Sequence, residues 1–452
     1  MPSRTPKPAT ESADSPLRDY MSAVEAMGVL QVRAQTLYAY VSRGLIRSVV
    51  QPGHKAKLYL RDDVLRVGSR SAARSGHGAV AASAMNWGEP IIGSLITEIT
   101  PAGPHYRSHA APDLASSGVG FEAVAELLWT GSLGDAKTVW PITRSSADLM
   151  RLGRRLFAGA PGGNLLESFA MVVLLLGIER GSIEDRVRQG KTLVAARQIM
   201  QTIVGCCGFA GPAGGYVPMQ RGDTVARGLM RALSIDATAD NTLAFEAILI
   251  LMADHELSPG TLSARVVASG GGTLHSCLAA ALCTSSGVEV GRVYDRVADL
   301  LGKARSASVL SRRANAMLQQ GLAVPGFNHP LYPKGDPRAV QLLGIARRRP
   351  DQTAESRAVF GFIDEMRATA GLTPRQELAI VLLMRTMGLS APVPTAVFAL
   401  ARMAGWVAHV LEQRERGTLL RPRARFEHAE AGVQVDAHVD VDSTFKIEPA
   451  GG

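Results

Sequence analysis

Aromatic residues are scarce in this chain: Phe, Trp and Tyr together make up 5% of 452 residues. Ala, Leu, Val and Gly dominate the apolar fraction instead. That balance favours close-packed helices over sheets, which draw on aromatic and β-branched side chains. Cysteine is nearly absent, with Cys206, Cys207, Cys277 and Cys283 the four in the chain and none in a C-x-x-C pair. This excludes a disulfide framework and a paired-cysteine zinc site, so the expectation is a reducing, cytoplasmic setting and no metal. Long apolar runs are lacking too: the longest, Phe169 to Ile178, falls well short of the ~20 residues a bilayer helix needs. The opening MPSRTPKPATESADSP holds no apolar stretch, which speaks against a secretory signal.

What the chain does have is enough apolar residues, 46%, for a large buried core, and length for two or three domains. Its net charge of +9 is uneven. Residues 1–75 hold twelve Lys/Arg against six Asp/Glu, a net of +6. A basic surplus fits nucleic acid or anionic metabolites, and the asymmetry assigns the first to the N-terminus and the second to the body.

The chain reads in segments. Residues 1–20, rich in Pro, Ser and Thr, are expected to be disordered. In EAMGVLQVRAQTLYAYVSRGLI the pattern predicts helix, turn at Gly28, and a second helix with Leu37, Tyr38, Val41 and Leu45 on one face, ended by Gly44. A hairpin around Pro52-Gly53 and a helix from near Asp62 complete a unit over residues 21–70. This unit resembles the winged helix-turn-helix of MerR-like and excisionase-like DNA-binding proteins. That resemblance implies phosphate contacts from Arg33, Arg43, Arg47, Lys55 and Lys57. A linker is expected at 69–83, then helices joined by Gly/Pro turns, the clearest over 166–179, 241–256, 374–388 and 394–416. In the last, Val397, Ala401, Ala404, Ala408 and Leu411 trace an apolar stripe. No alternating strand pattern is expected after residue 75, apart from an edge strand or extended arm in the tail, 431–452.

Three segments carry chemistry. GFNHPLYPKGDPRA at 326–339 resembles the citrate synthase signature, a Gly-Phe-x-His loop followed by Asp-Pro-Arg. The resemblance implies that His329 protonates the carbonyl oxygen of oxaloacetate as the carbon–carbon bond forms, and that Arg338 grips a carboxylate. The physics fits: a dianionic keto acid needs fixed guanidinium forks, and a developing alkoxide needs a donor aimed at it. ADHELSPGTLSARVVAS at 253–269 resembles the family's Ala-Asp-His-Glu segment and implies that His255 binds oxaloacetate. VFALARMAGWVAHVLEQRERGTLLRPRARF at 397–426 resembles the C-terminal family helix and Arg-Pro-Arg tail. It implies that Arg402 binds a second carboxylate and that Arg421 reaches a partner subunit's site. With WGEPIIGSLITEITPAGPHYRSHAAPDLA at 87–115, the resemblance runs from about 87 to 426. It implies an all-α citrate synthase fold, with a large domain over 86–292 and 394–430, a small domain over 293–393, and a dimer or higher oligomer. Acetyl-CoA or propionyl-CoA would be a substrate, not a cofactor.

The departures fall on one half-reaction. Where the family has a Gly-Pro-x-His-Gly-Gly segment, whose His stabilises the acetyl-CoA enol, this chain has SSGVEVGRVY, with Val290 at the His position and Arg292 at a Gly. Where the family has a Pro-Asn-Val-Asp base, this chain has PRQE, which puts Glu377 at the base position, one methylene longer. The oxaloacetate set is intact. Three readings stay open: a citrate or 2-methylcitrate synthase, an oxaloacetate- or citrate-binding regulator acting through the N-terminal unit, and an inactive subunit that completes a paralogue's site with Arg421.

Overall fold

A computed structural model of the chain describes residues 19–50, 57–72, 92–143, 157, 164–179, 189–350, 352–389 and 391–422. The chain divides into two units, Met1–Leu420 and Arg421–Gly452. The expectation for the 431–452 tail and that for Lys55 fall outside the described residues, as does Pro52-Gly53.

The N-terminal elements are β1 (Tyr20–Met21), α1 (Ala23–Leu30), α2 (Ala34–Ser42), β2 (Ser48–Val50), β3 (Lys57–Leu60) and α3 (Arg61–Ala72). Ser22 starts α1 with a capping box: its hydroxyl accepts from the Glu25 amide while the Glu25 carboxylate accepts from the Ser22 amide, 2.7 Å away. Four sequence expectations are corrected here. Gly28 lies inside α1, and the turn falls at Gln31, which adopts a left-handed conformation with φ 52°. Tyr38 and Leu45 are exposed, so of the expected α2 face Leu37 alone is fully buried. Tyr20 is buried in β1, and α3 runs into the expected linker.

The strands form an antiparallel sheet in the order β1-β3-β2, with Tyr20 opposite Leu60 and Met21 opposite Tyr59. Successive strand residues point to opposite faces. Met21 and Tyr59 join Ala26, Leu30, Leu37, Ile46, Val64 and Val67 in a small core of their own. Tyr20, Val49 and Leu60 face the other way and belong to the main core of the chain. The N-terminal unit is therefore built onto the body through one face of its sheet.

The body opens with a small antiparallel sheet, β4 (Thr97–Thr100), β5 (Gly103–Tyr106) and β6 (His109–Ala110). No strand was expected there. The strands are too short, and Gly103 and Pro104 too untypical of strands, to show alternation. Helices follow: α4 (Ala111–Ser116), α5 (Phe121–Thr130), α6 (Leu165–Glu179), α7 (Gln189–Cys206), α8 (Val225–Ala232), α9 (Ala239–Met252), α10 (Pro259–Ser269), α11 (Leu274–Ser285), α12 (Val293–Leu301), α13 (Ala307–Gln319), α14 (Pro337–Arg348), α15 (Ala354–Ala370), α16 (Gln376–Arg385) and α17 (Val393–Arg416). Thr224, Thr238, Thr273 and Thr353 each cap a helix by accepting from the amide three residues on.

Helix α17 is the centre of the body. It was expected to show one apolar stripe, but from Val393 to Val410 every residue is buried. It is long and apolar enough to cross a bilayer by length and composition, yet its apolar window is buried inside the protein. It packs against α5, α6, α7, α9, α10, α11 and α16.

One close approach on α17 sets the position of the chain that follows α9. That helix was expected to reach residue 256, but it ends at Met252, and the chain bends so that the Gly405 amide nitrogen lies 2.9 Å from the Ala253 carbonyl oxygen. A Cβ at Gly405 would fall on the Asp254 carboxylate. The buried Asp254 is held further by His409, whose Nε2 is 3.2 Å from Oδ2. His409 Nδ1 faces Arg265 NH1 at 3.2 Å, and that guanidinium donates to Glu412 at 2.5 Å. Burial alone would raise the pKa of Asp254, but His409 and Arg402 hold it below the ordinary carboxylate range. The hydroxyl of buried Tyr106 closes the bend, 3.0 Å from the Ile250 and 3.2 Å from the Asp254 carbonyl oxygens.

Gly405→Ala is expected to destabilise the protein by roughly 1–3 kcal/mol, the range for overfilling a packed interior. Gly344→Ala, where an added Cβ meets only the tip of Arg348 at 3.5 Å, serves as the control. Denaturant unfolding of both variants checks this. Equal stability would mean that the contact on α17 does not constrain the bend.

Candidate functional site

The bend after α9 delivers His255, buried, to a cluster built mainly from the loop between α13 and α14. The His255 and His329 rings lie 5.3 Å apart, centre to centre. Tyr332 sits against both, 5.6 Å from the first ring and 4.8 Å from the second, with its hydroxyl 2.9 Å from His255 Nε2. Arg338 lies over the Tyr332 ring at 5.3 Å.

Backbone geometry fixes the His329 loop. Gly326 takes φ 81°, and a Cβ there would come within 2.9 Å of Leu378. The Arg375 amide donates to the Gly326 carbonyl at 2.7 Å, and the Asn328 amide to the Thr373 carbonyl at 2.8 Å. The Asn328 side chain accepts from the Thr373 amide at 3.0 Å. These bonds tie the loop to the segment that carries Glu377.

The loop also sets the histidine's tautomer. The Leu331 amide lies 3.1 Å from His329 Nδ1 and donates to it. A nitrogen that accepts cannot also carry hydrogen, so a neutral His329 bears its proton on Nε2. Burial, then Arg338 and Arg375, push the pKa of His329 well below the ordinary imidazole value. His255 is lowered in the same way by burial, Arg338, Arg402 and Arg375. At neutral pH both rings are uncharged. Burial pushes the Tyr332 phenol up to about 12, so it keeps its proton as well.

Two arginines are buried beside the histidines. Asp336 caps α14 and also grips Arg338, accepting from its amide at 3.1 Å, from Nε at 3.0 Å and from NH2 at 2.9 Å. Asp336 further accepts from the Gln376 amide at 3.1 Å, linking α14 to α16. Burial opposes the charge on Arg338, but Asp336 and Tyr332 raise its pKa above the ordinary value. Arg402 lies over Phe398 at 5.0 Å and donates from Nε to the Met252 carbonyl at 2.8 Å. Its two terminal nitrogens have no hydrogen-bond partner among the described residues. Glu377 is buried and held by Arg375, which donates from NH2 to Oε1 at 2.7 Å and from Nε to Oε2 at 3.1 Å. Neutral donors ringed by guanidinium groups suit a small polyanion.

His255, His329, Arg338 and Arg402 thus come together, with Glu377 held beside them by Arg375. Val290 lies in the turn between α11 and α12, its amide donating to the Gly287 carbonyl at 3.1 Å, and its side chain offers no donor. The next residue, Gly291, passes so close to the Ser285 carbonyl that a Cβ would strike it. Arg421 is the first residue of the second unit. Tyr332, Arg375 and Asp336 were not assigned from the sequence, although all three lie in the quoted motifs; each is short-range context that becomes chemistry once the loops fold together.

The expected phosphate contacts divide. Arg33, Arg43 and Lys57 are exposed. Arg47 is not available for that role: it pairs with buried Asp63 at 2.7 Å, and its NH1 donates to the His329 carbonyl at 2.7 Å. No sequence signal links residues so far apart in the chain.

The family model described as "Citrate synthase, C-terminal domain" matches residues 85–423, three-quarters of the chain. The chain belongs to the citrate synthase family. Citrate synthase 2 of Bacillus subtilis is 32% identical over 186 residues, 40% of this chain and 50% of that protein. Citrate synthase of Haloferax volcanii is 33% identical over 190 residues, 40% of this chain and 49% of that one. The chain thus spans about half the length of these relatives. Among solved structures, citrate synthase from Thermoplasma acidophilum, in ternary complex with carboxymethyl coenzyme A and oxaloacetate, superposes with a TM-score of 0.66 at 20% identity. That match covers 76% of this chain and 95% of that one, and it shows the citrate synthase fold. Residues 1–84 lie outside the family match.

The lowered histidine values predict an acid-side loss of stability. The unfolded chain takes up a proton near pH 6.5, while the folded His329 does not, so stability falls as pH drops below that value. His329→Asn removes one such site. The stability advantage of the native protein over this variant is expected to shrink between pH 7.5 and 5.5, by at most ~1.4 kcal/mol per pH unit. Urea unfolding at several pH values measures it, and a gap that stays constant would contradict a neutral His329.

Proposed function

We propose that the protein is a citrate synthase-type acyltransferase, joining the acyl group of acetyl-CoA or propionyl-CoA to oxaloacetate and releasing CoA. The observation that carries this reading is the His329 tautomer. Its Nε2–H is the group that would donate to the keto oxygen as charge develops there, in a setting where a fixed donor counts most. Arg338 and Arg402 would meet the two carboxylates, and His255 would orient the keto acid. Glu377 would remove the proton from the acyl carbon next to the thioester, once released from Arg375. The resulting enol attacks the oxaloacetate carbonyl, and hydrolysis of the thioester then frees CoA.

Val290 favours a second reading, a family member that binds oxaloacetate but turns over slowly. Losing one donor to a developing oxyanion costs ~100- to 1000-fold in rate. Deuterium exchange from D2O into the acetyl methyl group isolates the enolisation step. Slow exchange in the native protein, and a gain in Val290→His/Glu377→Asp, would support the second reading. Brisk exchange with citrate formation in the native protein would establish the first. Under either reading oxaloacetate stabilises the native state by mass action. A rise in melting temperature is therefore expected, and it should be lost in Arg338→Ala. No rise at millimolar oxaloacetate would overturn both.

A dimer is part of the proposal, because Arg421 has a role only across an interface. An exposed apolar stripe on α6, formed by Met171, Leu174 and Ile178 at helical spacing, supports it. Light scattering is expected to give a mass of at least twice 47.9 kDa. A monomer at micromolar concentration would refute it.

A further inference from the structure

The N-terminal unit touches the body where the chemistry is. Its sheet lends Tyr20, Val49 and Leu60 to the main core, with β2 against α15. The Tyr20 amide donates to the Gly321 carbonyl at 3.1 Å, and the Asp19 carboxylate accepts from the Ala323 amide at 2.7 Å. Both contacts fall on the chain that leads into the His329 loop. Asn328, the residue before His329, holds a left-handed φ of 56°.

Arg47 makes the contact to His329 itself. Its NH1 donates to the His329 carbonyl at 2.7 Å, while Nε and NH2 form a fork on Asp63 at 2.7 and 2.9 Å. Asp63, at the start of α3 and 1% exposed, also accepts from the Arg47 amide at 2.9 Å and from Arg66 at 2.7 Å. Arg66 in turn approaches the Pro330 carbonyl at 3.5 Å. A planar guanidinium gripped on two nitrogens has little freedom left, so its third nitrogen is aimed.

We propose that the N-terminal unit clamps the His329 loop, and that Arg47 is the positioning residue through which it acts on that histidine. The clamp holds the His329 peptide, and with it the direction of the Nε2–H, from a segment that lies outside the family match. Residues of the family-matched body alone do not supply this donor. A ligand or partner that displaced the unit would release the loop. The proposal rests on the assignment of His329 above.

The test uses the full chain with ring-labelled histidines, followed by NMR titration, with the His329 resonance assigned through His329→Asn. The charge of Arg47 bears on His329, along with Arg338, Arg375 and His255, but it is not among the groups acting on His255. Arg47→Met is therefore expected to raise the pKa of His329 measurably, and to leave His255 where it was. Arg47→Lys keeps the charge but not the fork, so it should leave part of that shift unrestored; a full return would mean that charge alone, not the aimed guanidinium, acts on His329. If Arg47→Met unfolds the N-terminal unit by stranding Asp63, Arg47→Met/Asp63→Asn removes both partners and gives the same reading. An unmoved His329, or an equal shift in both histidines, would overturn the clamp. Loss of the oxaloacetate-induced melting shift in Arg338→Ala is read separately. Should the native protein show no such shift, the functional reading fails, while the titration still decides the role of Arg47.

Discussion

The contact between Gly405 and the Ala253–Asp254 bend is the constraint on which the site depends. A helix packed on all sides has no room for a chain segment to lie against it unless a side chain is missing at the crossing. Gly405 supplies that gap, and Asp254 fills it with a carboxylate that His409 on the same helix then holds. The bend is thereby pinned at both its backbone and its side chain. His255, one residue on, meets Tyr332 and His329 because its neighbour has nowhere else to go.

The second theme is charge. The cluster gathers Arg338, Arg402 and Arg375 around two imidazoles, and their fields join with burial to keep both rings neutral. Two of the three cations are spoken for by carboxylates, Arg338 by Asp336 and Arg375 by Glu377. Arg402 is hydrogen-bonded to a neutral carbonyl and has no carboxylate within ion-pair distance among the described residues, which leaves a demand for an anion. A dicarboxylate would satisfy that demand, and the neutral His329 would give it a proton donor in place of a further positive charge.

The two halves of the proposed reaction would be furnished unequally. On the oxaloacetate side the residues are present, buried and oriented by neighbours. On the thioester side the turn before α12 carries Val290, a side chain without a donor, and Gly291 passes close beneath Ser285 as the packing there requires. Packing and chemistry are separable at this turn: Gly291 lets the turn form, whatever side chain stands at position 290.

The sequence by itself indicated the helical class and named four residues of the cluster, because His255, His329, Arg338 and Arg402 sit in short motifs whose spacing is local. Short strands such as β5, with Gly103 and Pro104, escaped because alternation over four residues carries almost no signal. The tertiary structure alone decided which way His329 holds its proton, since that depends on a loop amide reaching Nδ1. It alone decided that Arg338 and Arg375 are met by Asp336 and Glu377. And it alone placed Arg47, 282 residues from His329 in the chain, against the carbonyl of that histidine. A contact between residues so distant leaves no spacing to read; it exists because one face of a small sheet was apolar and found the main core.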